Sequence, residues 1–415
     1  MPDRPIEQLL ERDSWKSFGA VSTPPAIVQL MLELAEMESW QGLSILEPGA
    51  GFCEFLQRIQ ALHPNNHFAG IELNPEIFQI AASSYKSFQL IPADFLLWDS
   101  RQKFDLVIGN PPYGIIGDKS HYPIHGLEQR KKTYQNIFQT WRGKYNIYGA
   151  FIEKAVRLLK PRGKLVFIVP ATFMLLDDFS RLRQFLAEQG RTRIYYLGPG
   201  VFEKKQVSTA ILVLDKGGKG IELFQRDASG RIRKCFAREK YDGGIIRFES
   251  SDTLAFEKGK IPLGQIFFIR FAARSPEIKK HPLAATRPGP GLVPVLTGSS
   301  LHPGWIDYDN TRSGIFFPLA RASELRKFYG QRHIVVGHTK GGKVVAAIDE
   351  RCYPWREEMH LVPKKPGLNL EAVVGYLNSS ELQAYMKNLY REITPHLTIT
   401  QLKLLPLPQN LAGDF

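Results

Sequence analysis

A chain of 415 residues with a net charge of +13 and a pI of about 9.5 is long enough for two domains. No apolar run approaches the ~20 residues that cross a bilayer, and the acidic, non-apolar first residues argue against a signal peptide, so we expect a cytoplasmic protein with no membrane partner. The surplus charge lies roughly equally before and after residue 248, which fits a polyanion held by both halves or a solvated basic surface. Three distant cysteines and no histidine pair at ligand spacing predict neither disulfides nor a metal site.

The chain begins with residues 1–17, which we interpret as a polar, partly helical lead-in. Thr23, followed by Pro24 and Pro25, predicts the start of a helix whose apolar residues recur at helical spacing up to position 35. Taken alone, Thr23 is best explained as a helix cap.

A strand followed by a glycine turn and a helix is predicted over residues 44–62, and this order is typical of a nucleotide site. The turn that binds pyrophosphate needs a small residue where this chain has Glu54, and Glu47 precedes the turn. Two carboxylates repel pyrophosphate. They therefore argue against NAD or ATP and favour a ligand that carries a sulfonium or ammonium cation.

Acidic residues also follow the next two predicted strands. Residues 67–72 end in Glu72, at the position where such sheets bond the ribose hydroxyls of a nucleoside. The strand at 88–91 leads to Asp94, which either accepts a hydrogen bond from an adenine amino group or caps the next helix. The regular alternation of strands and helices, with acids at successive strand ends, predicts an open α/β sheet.

The fourth strand, residues 104–108, runs through Gly109 into the sequence Asn-Pro-Pro-Tyr at 110–113. Two prolines stiffen this turn at the strand end where open α/β sheets bind their ligands. Its amide side chain, the carbonyl of Pro111 and the ring of Tyr113 suit a planar ring with an amino group. An ordinary proline-rich loop is the alternative.

The rest of the first half continues the alternation. Helices are predicted at 148–159 and 179–189, and strands at 165–170, 194–197 and 209–214. The loop at 114–144, rich in Lys, His and Tyr, fits either a cover over DNA or a lid on the cofactor. Phe202 lies in a loop of Gly, Pro and Lys at 198–206, so we predict an exposed ring that stacks near phosphates, with a ring tucked under its own turn as the alternative.

The alternation ends after Asp215, and from about residue 248 the chain is rich in Pro, Gly, Arg and aromatic residues. A strand is predicted at 265–270 and a helix at 371–391. Several cations stand beside aromatic residues or glycines and are candidates for contacts with phosphates or guanine edges: Arg270, Arg274, Lys340, Lys343 and Arg356. The segment 340–343 is equally explained as a solvated turn.

The order of these motifs resembles the gamma-type DNA adenine-N6 methyltransferases, and more narrowly the TaqI-type family. The matching stretches of the first half are 93–98, 109–114, 148–160 and 169–172, and those of the second half, which are the more specific, are 270–276, 289–298, 353–358 and 395–398. The resemblance implies a Rossmann-like S-adenosylmethionine-dependent sheet with helices on both faces, in a catalytic domain over 1–247. It also implies a mainly β or α+β DNA-recognition domain over 248–415.

The resemblance also assigns residues. Its cofactor positions are Thr23, Glu47, Gly49, Glu72, Asp94, Phe95 and Phe151. Its adenine positions are Asn110, Pro111, Tyr113 and Phe202, and Pro395 is a candidate wedge near the vacated partner base. The glycine turn at 47–51 departs from the TaqI-type pattern because it is richer in glycine, and we expect the site to remain intact.

The activity that the resemblance implies is methyl transfer from S-adenosylmethionine to N6 of a flipped adenine in double-stranded DNA, with 5′-TCGA-3′ as target. A cognate restriction endonuclease is then a candidate partner, and a single recognition domain favours a monomer. The rivals are an RNA or protein-glutamine methyltransferase, which share Asn-Pro-Pro-Tyr, and a catalytically silent DNA-binding specificity module.

Overall fold

The protein is described from a computed structural model that covers residues 22–118, 123–124, 126–202, 207–227, 230–391 and 393–413. The predicted lead-in at 1–17 lies outside these residues. The chain divides into two units, Met1–Arg247 and Phe248–Phe415. Within the described ranges, no helix is both long and apolar enough to cross a membrane.

The first unit alternates strands and helices up to residue 216 and then adds two strands. Its elements, in chain order, are α1 (Pro25–Ala35), β1 (Ser44–Pro48), α2 (Glu54–Leu62), β2 (His67–Glu72), α3 (Pro75–Ser84), β3 (Gln89–Pro92), β4 (Phe104–Gly109), β5 (Ile115–Ile116), β6 (Pro123–Ile124), α4 (Lys131–Ile137), α5 (Tyr148–Leu158), β7 (Leu159–Pro170), α6 (Ser180–Gln189), β8 (Gly190–Gly198), β9 (Thr209–Lys216), β10 (Ile221–Arg226) and β11 (Ile232–Arg238).

These strands, apart from the short pair β5–β6, form one nine-stranded sheet in the order β11-β10-β8-β9-β7-β4-β1-β2-β3. β1 runs parallel to both β2 and β4, and β9 is antiparallel to β7 and β8. The chain winds outward in one direction from β1 to β3 and then returns to the other side of β1 with β4. The crevice between the carboxyl ends of β1 and β4 is thus the switch point where open α/β sheets bind ligands. The predicted α/β class is confirmed.

The central strand β7 shows why the middle of the sheet is stable. Its residues from Leu165 to Val169 are fully buried, as expected of a strand covered on both faces. β7 begins at Leu159 rather than at 165, and helix α5 ends at Leu158. A Cβ on Gly163 would lie 2.8 Å from the carbonyl oxygen of Phe104, so this close approach of backbones requires glycine.

Helix α1 corrects one prediction. Pro24 occupies the N-cap position and no side chain caps the helix, because the Thr23 side chain and backbone bond elsewhere. The capping explanation of Thr23 is therefore wrong, and its partners lie in the site described below.

The second unit contains shorter elements. They are α7 (Ser251–Glu257), β12 (Lys260–Pro262), α8 (Leu263–Ile266), β13 (Phe267–Phe271), α9 (Ser275–Lys279), β14 (Leu292–Pro294), β15 (Leu301–His302), β16 (Trp305–Ile306), β17 (Phe316–Pro318), β18 (His333–Val336), β19 (Ala346–Asp349), β20 (Met359–Pro363), α10 (Leu370–Leu377), α11 (Ser380–Tyr390), α12 (Ile399–Lys403) and β21 (Pro406–Pro408).

An antiparallel sheet in the order β13-β20-β18-β19 and a core around the fully buried Trp355 organise this unit. The Trp355 indole N–H donates to the Asp349 carboxylate at 2.8 Å, which satisfies both buried groups. The helix predicted at 371–391 is two helices, since Ser379 caps α11 by accepting from Leu382 N at 3.2 Å. The strand predicted at 265–270 begins only at Phe267, after the short helix α8.

Candidate active site

A cleft opens at the carboxyl ends of β1, β2, β3 and β4. Its lining includes every residue that the resemblance assigns to the cofactor and one that it assigns to the adenine: Thr23, Glu47, Gly49, Glu72, Asp94, Phe95, Phe151 and Asn110. Four strand ends that are distant in sequence therefore meet in one cavity, as the α/β prediction requires.

Glu47 lies at the base of this cleft, at the end of β1. Its Oε2 accepts a hydrogen bond from Leu56 N at 3.1 Å, so the buried carboxylate faces the first turn of α2. Burial raises its pKa well above the ordinary value, and the nearby Glu54 and Glu72 carboxylates raise it further. The backbone hydrogen bonds oppose this shift only in part.

Glu72 ties the glycine turn to the end of β2. One carboxylate oxygen accepts from Gly51 N at 2.8 Å and the other from Asn74 N at 2.7 Å. Gly49 and Gly51 have φ angles of +67° and +51°, a conformation that glycine adopts without strain. Each oxygen of a carboxylate accepts about two hydrogen bonds, so Glu72 keeps capacity for the hydroxyl groups of a ligand.

Glu54, the third acid of the cleft, is half-buried at the first position of α2. Its carboxylate accepts a hydrogen bond from the Ser22 hydroxyl at 2.5 Å and another from the Thr23 N–H at 2.8 Å. Burial raises its pKa, as it does that of Glu72. Three carboxylates that burial makes costly to ionise are suited to a cationic ligand, because a cation would stabilise their charged forms.

The far end of the cleft is aromatic. Phe95 and Phe151 lie with ring centroids 5.0 Å apart and are almost fully buried. Asp94 borders this wall, and its Oδ1 accepts from Leu96 N at 3.0 Å, which closes a local turn. Its Oδ2 accepts from Arg130 Nη1 at 2.7 Å and from the Tyr134 hydroxyl at 2.5 Å. Asp94 thus stabilises a local turn and also lines the cleft.

The described part of the loop predicted at 114–144 is on the cleft side. Ile124, Leu127 and Tyr134 line the cavity, and Tyr134 is fully buried. At the end of the loop, the buried Glu153 accepts from Thr140 N at 2.9 Å and from the Thr140 hydroxyl at 2.6 Å. The described part of the loop thus borders the cleft.

The Asn-Pro-Pro-Tyr turn follows β4 directly. Asn110 Nδ2 donates to the Thr23 hydroxyl at 3.1 Å, so Thr23 orients the amide. Pro111 and Tyr113 are buried, and the Tyr113 hydroxyl donates to the carbonyl of Ile168 at 2.9 Å. Burial raises the pKa of Tyr113 well above its ordinary range, so this phenol remains a hydrogen-bond donor.

Phe202 differs from the prediction. Only 5% of its surface is exposed, because the loop brings its ring against Tyr113. The two ring centroids lie 6.3 Å apart at an interplanar angle of 69°, which is an edge-to-face contact. The prediction of an exposed ring is therefore wrong, whereas Phe202 and Tyr113, both of which the resemblance assigns to the adenine, are neighbours. No parallel slot separates them in this arrangement.

In the second unit, the predicted DNA-contacting residues divide into two groups. Four are exposed: Arg270, Arg274, Lys343 and Pro395. Arg270 lies 5.3 Å from the ring centroid of the exposed Phe268. Gly342 N donates to the carbonyl of Pro395 at 3.0 Å, so the loops that carry Lys343 and Pro395 adjoin.

The other two residues line a polar pocket with Thr297, Ser299, Thr339 and Glu358. The Lys340 ammonium donates to the carbonyls of Gly298 at 2.5 Å and Leu301 at 3.0 Å, so its charge is turned inward. Arg356 is half-buried, and its Nε has no hydrogen-bond partner in the described part of the chain. Burial raises the pKa of the adjacent Glu358 to about 7.

The sequence argument did not find several residues of the cleft. Arg130 and Tyr134 are four positions apart and face the same carboxylate, a helical spacing that was detectable inside the 114–144 loop. Ile124 and Leu127 gave no signal, because their contact with the cavity depends on how the loop folds. Among the described residues, no group of three or more His, Cys, Asp and Glu could hold a metal ion.

Comparisons with known proteins show which families the chain resembles. Residues 32–202 match the family of Eco57I restriction-modification methylases, and residues 293–407 match the TaqI-like C-terminal specificity domain. The chain is 49% identical to the type II methyltransferase M.TthHB8I of Thermus thermophilus over 95% of its own length and 91% of that protein. It is 29% identical to the modification methylase CviBIII of Paramecium bursaria Chlorella virus NC1A over 44% of its length and 45% of that protein.

Among solved structures, the chain is similar to a nuclease-deletion mutant of the type ISP restriction-modification enzyme LlaGI in complex with a DNA substrate mimic. The TM-score is 0.57 at 14% identity, over 94% of this chain and 54% of that one, and this likeness concerns the fold alone. Identity at this level to M.TthHB8I over nearly the whole of both chains establishes the family. The chain belongs to the TaqI-like type II DNA methyltransferases of restriction-modification systems.

Proposed function

We propose that this methyltransferase transfers a methyl group from S-adenosylmethionine to N6 of an adenine that is extruded from duplex DNA. The observation that carries the proposal is the continuity of one cleft. Three acids, one buried and two half-buried, lie in the same cavity as the Asn110 amide, and the ring of Tyr113 follows three residues later. A cationic nucleoside cofactor and an amino-bearing base are the pair that these groups suit.

The residues of the cleft fit the cofactor in three regions. The acids Glu47, Glu54 and Glu72 suit its cationic end and its hydroxyls, since burial makes each of them costly to ionise without a counter-charge. Phe95 and Phe151 offer apolar faces to a purine. When bound, S-adenosylmethionine supplies an activated methyl group; the protein residues bind and orient the two reactants.

Asn110 and Pro111 carry the chemical step. The amino nitrogen of adenine is a weak nucleophile because its lone pair is delocalised into the ring. The Asn110 side-chain oxygen and the Pro111 carbonyl each accept one of its N–H bonds, which pulls the nitrogen toward a tetrahedral geometry and localises the lone pair. Both acceptors also stabilise the positive charge that grows on the nitrogen, a preorganised effect of about a few kcal/mol per group. No general base has to act before the attack.

Tyr113 and Phe202 hold the extruded base. Stacking contributes about 1–3 kcal/mol per base, which offsets part of the cost of unstacking. Because the two rings are in edge-to-face contact, a base can enter between them only if the Phe202 ring moves away from Tyr113. The Tyr113 ring is held by its hydrogen bond to Ile168 and is the fixed face.

The second unit supplies DNA recognition, in agreement with its match to a specificity domain. The exposed Arg270, Arg274 and Lys343 are suited to phosphates. Arg356 is better suited to a base edge, since its buried Nε lies in a polar pocket and has no partner among the described residues. Pro395 is exposed and is proposed as the wedge. We take 5′-TCGA-3′ as the target, a cognate endonuclease as the biological partner and a monomer as the acting species.

One experiment tests this function. Labelled S-adenosylmethionine is incubated with the full chain and with two duplexes that differ only in whether TCGA is present, and the modified base is then identified. We expect label on N6-methyladenine within TCGA. Label on cytosine, label in the duplex without TCGA, or transfer to RNA in preference to DNA would each contradict the proposal at a different step.

A further inference from the structure

Arg130 and Tyr134 lie where neither the comparisons nor the motifs assign a role. Both are on or next to α4, in the segment after the Asn-Pro-Pro-Tyr turn, and both bond the same oxygen of Asp94. Tyr134 is fully buried, whereas the Arg130 side chain is 41% exposed. A buried phenol and a partly exposed guanidinium therefore hold the same carboxylate oxygen of the cleft.

The three hydrogen bonds restrict what Asp94 can still do. Oδ2 accepts two of them and Oδ1 accepts one from Leu96 N. A carboxylate has about four acceptor sites, so one direction on Oδ1 remains for a ligand. A carboxylate accepts hydrogen bonds and does not donate them. A ligand with an amino group is then matched, and one with a carbonyl oxygen at the same position is repelled.

We propose that Arg130 and Tyr134 are positioning residues that hold Asp94 as an acceptor for the 6-amino group of the cofactor's purine, and so select an adenine over a 6-oxopurine cofactor. The inference rests on the proposed cofactor. Leu127 and Ile124, from the same segment, cover the neighbouring part of the cleft, so the loop contributes both the apolar cover and the polar clamp.

The test uses two probes, S-adenosylhomocysteine and its deaminated counterpart S-inosylhomocysteine, and measures both dissociation constants by calorimetry on the full chain. The parent is expected to prefer the amino compound. In Arg130→Gln, the dissociation constant for S-adenosylhomocysteine should rise about tenfold, the usual scale for a lost charge-assisted hydrogen bond. The preference for the amino compound should shrink as well, and Tyr134→Phe should show a smaller change of the same kind.

Two controls separate this role from a structural one. Lys132→Gln removes an equal charge from the exposed side of the same helix and should leave both constants unchanged. Arg130→Lys keeps the charge and should restore part of the preference. If Arg130→Gln weakens both probes equally, or neither, the positioning role is wrong although the cofactor proposal stands. If the parent binds neither probe, the proposed cofactor fails and the inference fails with it.

Discussion

Replacing Thr23 by Val tests whether this residue acts on the cofactor or on the catalytic amide. The hydroxyl is 3.1 Å from Asn110 Nδ2, and Thr23 itself is only 3% exposed, so water cannot easily replace the lost acceptor. A buried donor that loses its partner costs about 1–3 kcal/mol. Asn110 is half-buried, so we use the lower part of this range, and about 1.4 kcal/mol corresponds to a tenfold effect on the rate.

We therefore expect Thr23→Val to lower the single-turnover rate of methyl transfer about tenfold, because the amide loses the bond that orients it. Single-turnover methylation of a saturating duplex gives this rate, and calorimetry gives the affinity for S-adenosylhomocysteine. Thr23→Ser keeps the hydroxyl and should retain the parent rate. A large loss of cofactor affinity in Thr23→Val, with an unchanged rate at saturation, would refute the reasoning and return Thr23 to a purely cofactor-binding role.

Three further outcomes are expected. Asn110→Ala should keep DNA and cofactor binding but lose about 10²–10³ in the single-turnover rate, and near-normal turnover would contradict the mechanism. Phe202→Ala should weaken base extrusion more than cofactor binding; an unchanged fluorescence rise from a 2-aminopurine target would count against its stacking role. Cofactor binding should release protons, since burial raises the pKa of Glu72 above its ordinary 4.5 and a cation lowers it. Affinity should then increase with pH across that window, and equal binding enthalpies in buffers of different ionisation enthalpy would argue against it.

The same acids predict how the free protein responds to pH. A carboxyl whose pKa is raised by folding does not lower the free energy of unfolding while it is protonated in both the folded and the unfolded chain. The free energy of unfolding then falls as pH rises above the ordinary value toward the raised one, because only the unfolded chain ionises freely. The cofactor's cation should restore the lost stability, so the shift in melting temperature that it causes should grow with pH.

Much of the first unit could be predicted from the sequence because its signals are local. The strand at 67–72 was placed at its observed bounds, and the fourth strand and the turn at 110–113 needed only a buried apolar run and two prolines. The acids at successive strand ends predict where the cleft lies, since parallel strands bring their carboxyl ends to one edge of the sheet. These inferences depend on the periodicity of apolar residues and on the direction of the chain, and both can be read from a single sequence.

The missed features depend on contacts between distant segments. Phe202 looked exposed because nothing near it in sequence could bury it, and only the fold brings Tyr113 to its ring. Thr23 looked like a cap because a threonine before two prolines usually is one, whereas here its hydroxyl meets a side chain 87 positions away. The inward turn of Lys340 likewise depends on carbonyls of residues 298 and 301.

On the proposed reaction, the distribution of charge in the cleft makes a neutral amide at position 110 of this chain better suited than an acid. The carboxylates of the buried Glu47 and the half-buried Glu54 and Glu72 already favour a cation, and an additional carboxylate at position 110 would attract the cofactor's cationic end into the place of the base. A neutral amide and the Pro111 carbonyl accept the same two N–H bonds without that competition. On the proposed reaction, the carboxylates thus attract the cofactor's cationic end to their side of the cleft. The neutral acceptors at positions 110 and 111 hold the amino nitrogen of the base next to the methyl group.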